Sequence, residues 1–238
     1  MRDRRRRMRW IGFWQALVCA WLLFVWPAGG DAQIIDAGDA IRQRLEMLEA
    51  GEKGDLSAIN RLITVGTKVD VKDEALRTPL YLAVEKNRVA AVKLLLSEGA
   101  SVNARARDLD TPWLLAGALG RAEILRLMIA HEPDLTMHNR FGGTALIPAC
   151  QQGHVEAVRV LLDTAIDLDH VNQLGWTCLI EIAYLGDGGA NSQEIARIVL
   201  TAGANPNVVD KRGRTALAHA ETRKLTALAG ILKAYGAK

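Results

Sequence analysis

The sequence predicts an all-α repeat solenoid, made of stacked helix-turn-helix units with β-turn fingers, and two observations support this. The first is a threonine-led pattern that returns every 33 residues and once more 38 residues on: Thr78-Pro79-Leu80, Thr111-Pro112, Thr144-Ala145-Leu146, Thr177-Cys178-Leu179 and Thr215-Ala216-Leu217. The second is an apolar triplet in step with it: Leu94–Leu96, Leu127–Ile129, Val160–Leu162 and Ile198–Leu200. A repeat of this period indicates an array in which each unit buries its apolar face against its neighbours.

Each unit is expected to hold an extended turn followed by two helices. Thr78 and Thr111 are N-cap candidates, and the prolines after them stand in the first helical position, where a missing N–H costs nothing. A glycine is expected to end the first helix, because glycine tolerates left-handed backbone angles. The candidates are Gly120, Gly153 and Gly186.

The repeats divide residues 33–238 into about six units. The first unit lacks the Thr-Pro signature and is expected to cap the array, and the last ends in a polar segment that suits the other cap. The expected units are 38–70, 73–105, 106–138, 139–171, 172–209 and 210–238. This stretch contains no linker or low-complexity tract, so a single repeat domain is predicted.

The repeat resembles that of the ankyrin family. The match is best in two stretches: Thr78-Pro79-Leu80-Tyr81-Leu82-Ala83 with Leu94–Asn103, and Gly142–Leu146 with Gly153–Val158. The resemblance covers about residues 38–238, and the chain is identified as a bacterial, exported member of the family. It implies stacked helix pairs, no catalysis, and partner proteins docked in a concave groove lined by turn fingertips and the exposed end of each first helix.

Residues 1–32 differ in composition from the rest and are predicted to be a secretory signal peptide. Six arginines precede an almost wholly apolar run of 17 residues, Trp10–Trp26, and small residues follow it. Cleavage is expected near Ala32 or at Gly30. An uncleaved anchor is the alternative, because such a run is at the low edge of what spans a bilayer. Both readings export the repeats, either to the periplasm or outside the cell, or anchored on the periplasmic side of the inner membrane.

The predicted leader also carries the excess positive charge. The whole chain has 30 basic and 27 acidic residues, whereas residues 33–238 have 24 basic and 25 acidic ones. A nearly neutral repeat domain gives no support for nucleic-acid binding.

Two cysteines, Cys150 and Cys178, lie in neighbouring units at different heights along the stacked helices. A disulfide needs alpha carbons within about 7 Å of each other, and the expected gap is larger. We therefore predict buried free thiols, which also lack the neighbours of a metal-binding or redox pair.

One column of the first helices changes from apolar to polar along the array. The residue two places after the Thr-x-Leu triplet is in turn Leu82, Leu115, Pro148, Glu181 and His219. Since the family places an apolar residue here, Glu181 and His219 could form a buried polar pair. The pair is interpreted as structural, with a polar floor for a ligand or a partner's side chain as the alternative. Catalysis is disfavoured because no nucleophile or metal set accompanies the pair, and Pro148 is expected to cost one helical hydrogen bond.

Five extra residues in the fifth unit give a glycine-rich segment, residues 186–192, between its two helices. One carboxylate is too few for calcium, and the segment lacks the Lys-Ser/Thr pair of a phosphate-binding loop. The histidines lack metal-ligand spacing. We therefore predict neither a metal nor a cofactor.

Exposed apolar residues are expected to gather in the groove at the fourth and fifth units, with arginines on either side. Such a composition is typical of binding hot spots. The candidate partner-binding residues are Arg140, Phe141, Gln173, Leu174, Trp176, Tyr184, Leu185, Arg212 and Arg214. The alternative is that Trp176 and Tyr184 only pack against each other.

These features predict a non-catalytic protein-binding scaffold in the bacterial cell envelope. The expected partner is an unidentified protein; nucleic acid is not expected, nor is membrane contact beyond the leader, and the chain is expected to be a monomer. Two alternatives stay open. One is a small-molecule or vestigial enzymatic site around Glu181, His219 and residues 186–192; the other is an exported effector that binds a host protein.

Overall fold

The computed structural model describes residues 29–238, and the chain divides at Arg42, so that the repeat array is the unit of residues 43–238. Apart from residues 29–32, the predicted signal peptide lies outside the described residues. Between residues 29 and 238, no helix combines the length and apolar character that crossing a bilayer requires.

The described chain is built from helices in consecutive pairs. They are α1 (Gly29–Lys53), α2 (Leu56–Thr64), α3 (Pro79–Glu85), α4 (Val89–Ser97), α5 (Pro112–Ala118), α6 (Ala122–Ile129), α7 (Leu146–Gln151), α8 (Val155–Leu162), α9 (Cys178–Tyr184), α10 (Ala190–Thr201), α11 (Ala216–Thr222) and α12 (Thr226–Ala234). From α3 onwards, each first helix packs on its own second helix and on the first helices of adjacent units, and the apolar side chains between them form one continuous core. This confirms the predicted all-α solenoid.

Threonine N-caps begin most of the first helices. The hydroxyl oxygen of Thr78 accepts from the backbone N–H of Tyr81 at 3.2 Å, and Pro79 stands in the first turn, where its missing N–H leaves nothing unpaired. The same cap begins three further helices, at Thr111, Thr177 and Thr215. The caps predicted at Thr78 and Thr111 are thus confirmed.

The fourth unit departs from this pattern at Pro148. In the fifth unit the N–H of Glu181 donates to the carbonyl of Thr177 at 2.9 Å and closes the first helical turn. Pro148 stands at the equivalent position and has no N–H to donate. Helix α7 begins only at Leu146, and the buried hydroxyl of Thr144 has no hydrogen-bond partner in the described chain. The predicted loss of one helical hydrogen bond is confirmed, and the cap is lost with it.

A β-turn finger precedes each first helix from α3 onwards. In unit five the N–H of Asn172 donates to the carbonyl of Trp176 at 3.1 Å, while Asn172 Oδ1 accepts from the N–H groups of Leu174 and Trp176 at 2.9 and 3.1 Å. Equivalent side chains hold the fingers of units four and six: Asn139 and Asp210. Neighbouring fingers also join directly, because the N–H of Gln173 donates to the carbonyl of Phe141 at 3.0 Å.

A disulfide joins Cys150, near the end of α7, to Cys178, at the start of α9, with alpha carbons 5.5 Å apart. The prediction of free thiols is therefore wrong. It treated a difference in position along the helices as a separation in space, whereas the end of one first helix lies against the start of the next.

Glycines in the same column show this close approach elsewhere in the array. A Cβ atom at Gly117 would lie 2.6 Å from the carbonyl oxygen of Ala145, and one at Gly51 would lie 2.6 Å from that of Pro79. Gly117 precedes Cys150 by one repeat, and Gly51 precedes it by three. Two cysteines that face each other across such a contact are within bonding distance.

Candidate partner-binding groove

Large apolar side chains are exposed on the fingertips and first-helix ends of units four and five. Phe141 and Leu174, at the fingertips, are 58% and 53% exposed. Leu185, which follows α9, is 46% exposed, and Tyr184 is 39% exposed. Exposed apolar residues gathered in one place are characteristic of interaction surfaces.

A pocket of about 350 Å³, here called the groove pocket, lies among these residues. Four of the predicted binding residues line it: Phe141, Leu174, Trp176 and Leu185. The rest of its wall comes from units three to five: Asp110, Ala118, Asn139, Gly143, Ile147, Pro148, Gln151, Asn172 and Glu181. The other predicted binding residues lie outside the lining: Arg140, Gln173, Tyr184, Arg212 and Arg214.

Trp176 is half-buried and has two kinds of neighbour. It packs against the core, and its ring centroid lies 4.5 Å from that of Tyr184. Tyr184 in turn meets His219 edge to face, with centroids 5.1 Å apart. The mutual packing of Trp176 and Tyr184 is therefore present. Trp176 also lines the groove pocket, so it both packs against Tyr184 and forms part of the groove wall.

The structure places one of the three predicted arginines, Arg140, against the apolar cluster. The Cζ atom of Arg140 lies 4.8 Å from the ring centroid of Phe141, a cation–π contact. Gln173 Nε2 donates to the carbonyl of Arg140 at 3.0 Å, which ties the two fingertips together. Arg214 Nη2 donates to a threonine hydroxyl of α11 at 2.6 Å, and Arg212 is exposed.

Glu181 is a buried member of the pocket wall, with 4% of its surface exposed. Its Oε1 atom accepts a hydrogen bond from Asn172 Nδ2 at 2.8 Å, whereas Oε2 has no partner among the described residues. Burial raises the pKa of Glu181 to about 7, and the bond from Asn172 only partly opposes this. One carboxyl oxygen of Glu181 is therefore bonded within the fold, whereas the other makes no hydrogen bond to the described residues.

His219 occupies the equivalent place in the sixth unit and is 3% exposed. Its Nε2 atom lies 2.8 Å from Asp210 Oδ2, while Asp210 Oδ1 accepts from the N–H groups of Arg212 and Arg214. Burial alone would raise the pKa of Asp210, but hydrogen bonds from the Arg214 backbone and from His219 hold it below its ordinary value.

The expected contact between Glu181 and His219 is thus replaced by one contact inside each unit. Both side chains turn to the finger residue nine positions before them, Asn172 in one unit and Asp210 in the other. A partner at the base of the same unit's finger is nearer than one on the next helix, which is about 10 Å away across the stack.

Asp110 is the second acid of the groove pocket and is half-buried. Burial and the neighbouring carboxylate of Asp108 raise the pKa of Asp110 to about 6, and the charge of Arg140 opposes the shift. Among residues 29–238, no group of three His, Cys, Asp or Glu side chains is placed to hold a metal ion.

The inserted segment, residues 186–192, uses its carboxylate locally. Asp187 Oδ1 accepts from the N–H of Gly189 at 2.8 Å and from Ser192 Oγ at 3.2 Å. Left-handed angles occur at Gly120 and Gly153 as predicted, but in this longer turn at Gly188 rather than Gly186. Neither this segment nor His219 lines the groove pocket, so the structure does not bring them together there with Glu181.

Sequence reasoning places Asp110 in the groove but leaves it out of the candidate binding residues, and it misses the contacts of two finger residues, Asn172 and Asp210. The last two were recognised only as the first residues of their units. Their signal was the recurrence of Asp or Asn at that finger position, nine residues before the polar column. A side chain that holds a finger with one atom has a second atom free to bond a polar residue on the helix.

The fold is that of a repeat scaffold, and its candidate binding surface is built from fingertips and helix ends. The chain belongs to the ankyrin repeat family, because the family model for ankyrin repeats (3 copies) matches residues 47–137 and 113–210. Domains of this family generally mediate protein–protein interactions and are typically non-enzymatic scaffolds. No curated protein matches the sequence significantly.

Solved structures agree with this assignment. An ankyrin repeat domain from Acinetobacter baumannii AYE is 43% identical, with a TM-score of 0.78, over 81% of this chain and 98% of that one. The ankyrin repeat protein EF0377 is 38% identical, with a TM-score of 0.78, over 80% of this chain and 98% of that one. The ankyrin repeat domain of Bcl-3, a member of the IkappaB family, is 30% identical, with a TM-score of 0.74, over 81% and 86%.

Proposed function

We propose that this chain is a non-catalytic scaffold that binds a partner protein in the groove of units four and five, and that it acts in the bacterial cell envelope. The observation that carries the binding proposal is the coincidence of exposed apolar side chains with a pocket. Phe141, Leu174 and Leu185 are each about half exposed to solvent and all line the same cavity. Apolar anchors that fill pockets near the centre of an interface supply most of its binding energy.

The disulfide supports the proposed location. A bond between Cys150 and Cys178 persists in an oxidising compartment such as the periplasm and is rare in a reducing cytosol. The arginine-rich, apolar composition of residues 1–26 is that of an export signal. The location is tested by taking the protein from intact cells, denaturing it and alkylating it with and without prior reduction. Cys150 and Cys178 should react only after reduction.

Site-specific photo-crosslinking tests the binding surface. A benzophenone amino acid replaces Leu174, in the groove, or Ile129, an exposed residue at the end of the second helix of unit three. We expect a discrete adduct with one protein from position 174 only. Unlabelled wild-type chain should compete for that adduct, and chain carrying Phe141→Asp and Leu174→Asp should not. Equal adducts at both positions, or equal competition by both chains, would contradict the proposal.

A further inference from the structure

We propose that the groove pocket receives a basic side chain, arginine or lysine, of the partner protein, with Glu181 as its counter-charge. This rests on the proposed function and specifies the partner's chemistry at one point of the interface. The charged groups that line the pocket are both acids, Asp110 and Glu181, and the remaining polar lining is made of the neutral amides Asn139, Gln151 and Asn172.

Glu181 carries the argument, because the fold uses only half of its carboxyl group. Oε1 receives the bond from Asn172 at 2.8 Å, and Oε2 is buried without a partner among residues 29–238. An unsatisfied buried acceptor is costly unless something else satisfies it. In the column to which Glu181 belongs, units two and three have Leu82 and Leu115, which shows that the fold has no need of an acid at this position. A donor from outside the chain is what the remaining oxygen lacks.

The rest of the pocket suits the stem of a basic side chain. Trp176, Leu174 and Ile147 give it apolar walls, and long basic residues bury their methylene stems against such surfaces while the charged head reaches a polar group. Trp176 also offers an aromatic ring for a cation–π contact. Its volume of about 350 Å³ is at the small end for ligand sites, which suits one side chain rather than a large cofactor.

Electrostatics point the same way. Burial raises the pKa of Glu181 to about 7 and that of Asp110 to about 6, so the surroundings of both carboxyl groups disfavour their negative charge. A cation placed among the two carboxyl groups would favour their ionised forms. Arg140 partly opposes the shift at Asp110, but it lies over the ring of Phe141 and does not line the pocket.

The experiment uses blocked amino acids as probes. Nα-acetyl-arginine methylamide and its lysine analogue are titrated into the chain, with the citrulline analogue as the neutral isostere of arginine and the norleucine analogue as the apolar control. Binding is followed by the NMR shift of the Trp176 indole N–H. We expect the basic probes to shift this signal and the neutral probes to bind about tenfold more weakly or worse, as for loss of a hydrogen bond to a charged group.

Variants locate the effect. Glu181→Gln keeps the shape and the acceptor for Asn172 but removes the charge, and should weaken the basic probes about tenfold. Glu123→Gln, at an exposed glutamate of α6 outside the pocket, is the matched control and should bind as wild type. Equal binding of arginine and citrulline probes, unchanged binding by Glu181→Gln, or no binding of either basic probe would overturn the inference.

These outcomes are separate from those of the crosslinking experiment. If position 174 captures a partner but the basic probes show no preference, the groove binds protein and the pocket inference fails. If the probes bind as expected and position 174 captures nothing specific, the proposed function fails instead.

Discussion

The fifth and sixth units place a polar pair at the same two positions, and the two pairs differ in completeness. In unit six, Asp210 holds the finger with one oxygen and meets His219 with the other, at 2.8 Å. In unit five, Asn172 does the same work, but Glu181 has a second oxygen with no partner in the described chain. The sixth unit shows what a pair built for stability requires. Glu181 Oε2 in the fifth unit is therefore not needed for folding and is available to bond another group.

The largest difference between the two units is covalent, since the disulfide ties unit five to unit four. It closes a loop with a sequence separation of 28 residues. In the chain-entropy model a loop of this size stabilises the fold by about 3 to 4 kcal/mol. We expect reduction, or the Cys150→Ala/Cys178→Ala pair, to lower the free energy of unfolding by roughly this amount, measured by urea denaturation. If reductant also shifted the unfolding of the double variant, the effect would not come from the disulfide.

The two units should also respond to pH with opposite signs. The pKa of Glu181 is raised in the folded chain to about 7 from an ordinary 4.5, so the folded state holds its proton more tightly. Between those values stability must fall as pH rises, by up to about 3 kcal/mol. The pKa of Asp210 is lowered, so its contribution is present at neutral pH and is lost on acidification.

Unfolding measured at pH 4 and pH 8 separates these contributions. The difference in the free energy of unfolding between the wild-type chain and Glu181→Gln isolates the contribution of Glu181, because Asp110 and Asp210 are present in both chains. The difference should decrease towards pH 8. A difference that is constant across the range would mean that Glu181 is not buried as the structure has it.

Replacing each polar residue with leucine, the residue of units two and three, should give opposite results. His219→Leu leaves Asp210 Oδ2 buried without its partner and should cost about 2 kcal/mol. At pH 8, Glu181→Leu removes a buried carboxylate that is only half satisfied and should be neutral or stabilise by about 1 kcal/mol. Equal destabilisation by both, in thermal and urea unfolding, would remove the distinction between the units.

The fingertip glycines offer the smallest and most closely matched comparison. Gly175 and Gly213 both have left-handed backbone angles, with φ of 78° and 71°. A Cβ at Gly175 would lie 3.0 Å from the backbone nitrogen of Lys211, while one at Gly213 would meet no atom of the described residues within 4 Å. Both alanine variants should lose about 1 kcal/mol from backbone strain, and Gly175→Ala should lose more. A larger loss at Gly213 would contradict the packing of finger five on finger six.

The fold could be predicted from the sequence because the same local pattern recurs in several units. Thr78 and Thr111 cap helices because of their own chemistry and that of the next three residues, so no tertiary information is needed. The loss of a hydrogen bond at Pro148 could be predicted in the same way, since the missing bond lies within one helical turn.

The contacts between units were beyond this kind of reasoning. Whether Cys150 reaches Cys178 depends on the inclination of successive first helices, which no single repeat encodes. The glycines Gly51 and Gly117 marked the close approach in the same column, but only in retrospect. The predicted contact between Glu181 and His219 was wrong for a related reason. The partner of Glu181 is Asn172 of the finger, whose Oδ1 holds the turn while its Nδ2 remains able to bond Glu181.

The covalent link between units four and five also governs how the molecule comes apart. A linear repeat array unravels from its ends, because a terminal unit has only one neighbour to lose. Opening that begins at α12 can release the sixth unit without breaking a covalent bond, but it then meets the Cys150–Cys178 crosslink. The groove pocket is lined by residues of units three to five, and the crosslink holds the fifth unit to the fourth. Fraying that releases only the sixth unit removes the candidate residues Arg212 and Arg214 but leaves every residue that lines the groove pocket in place.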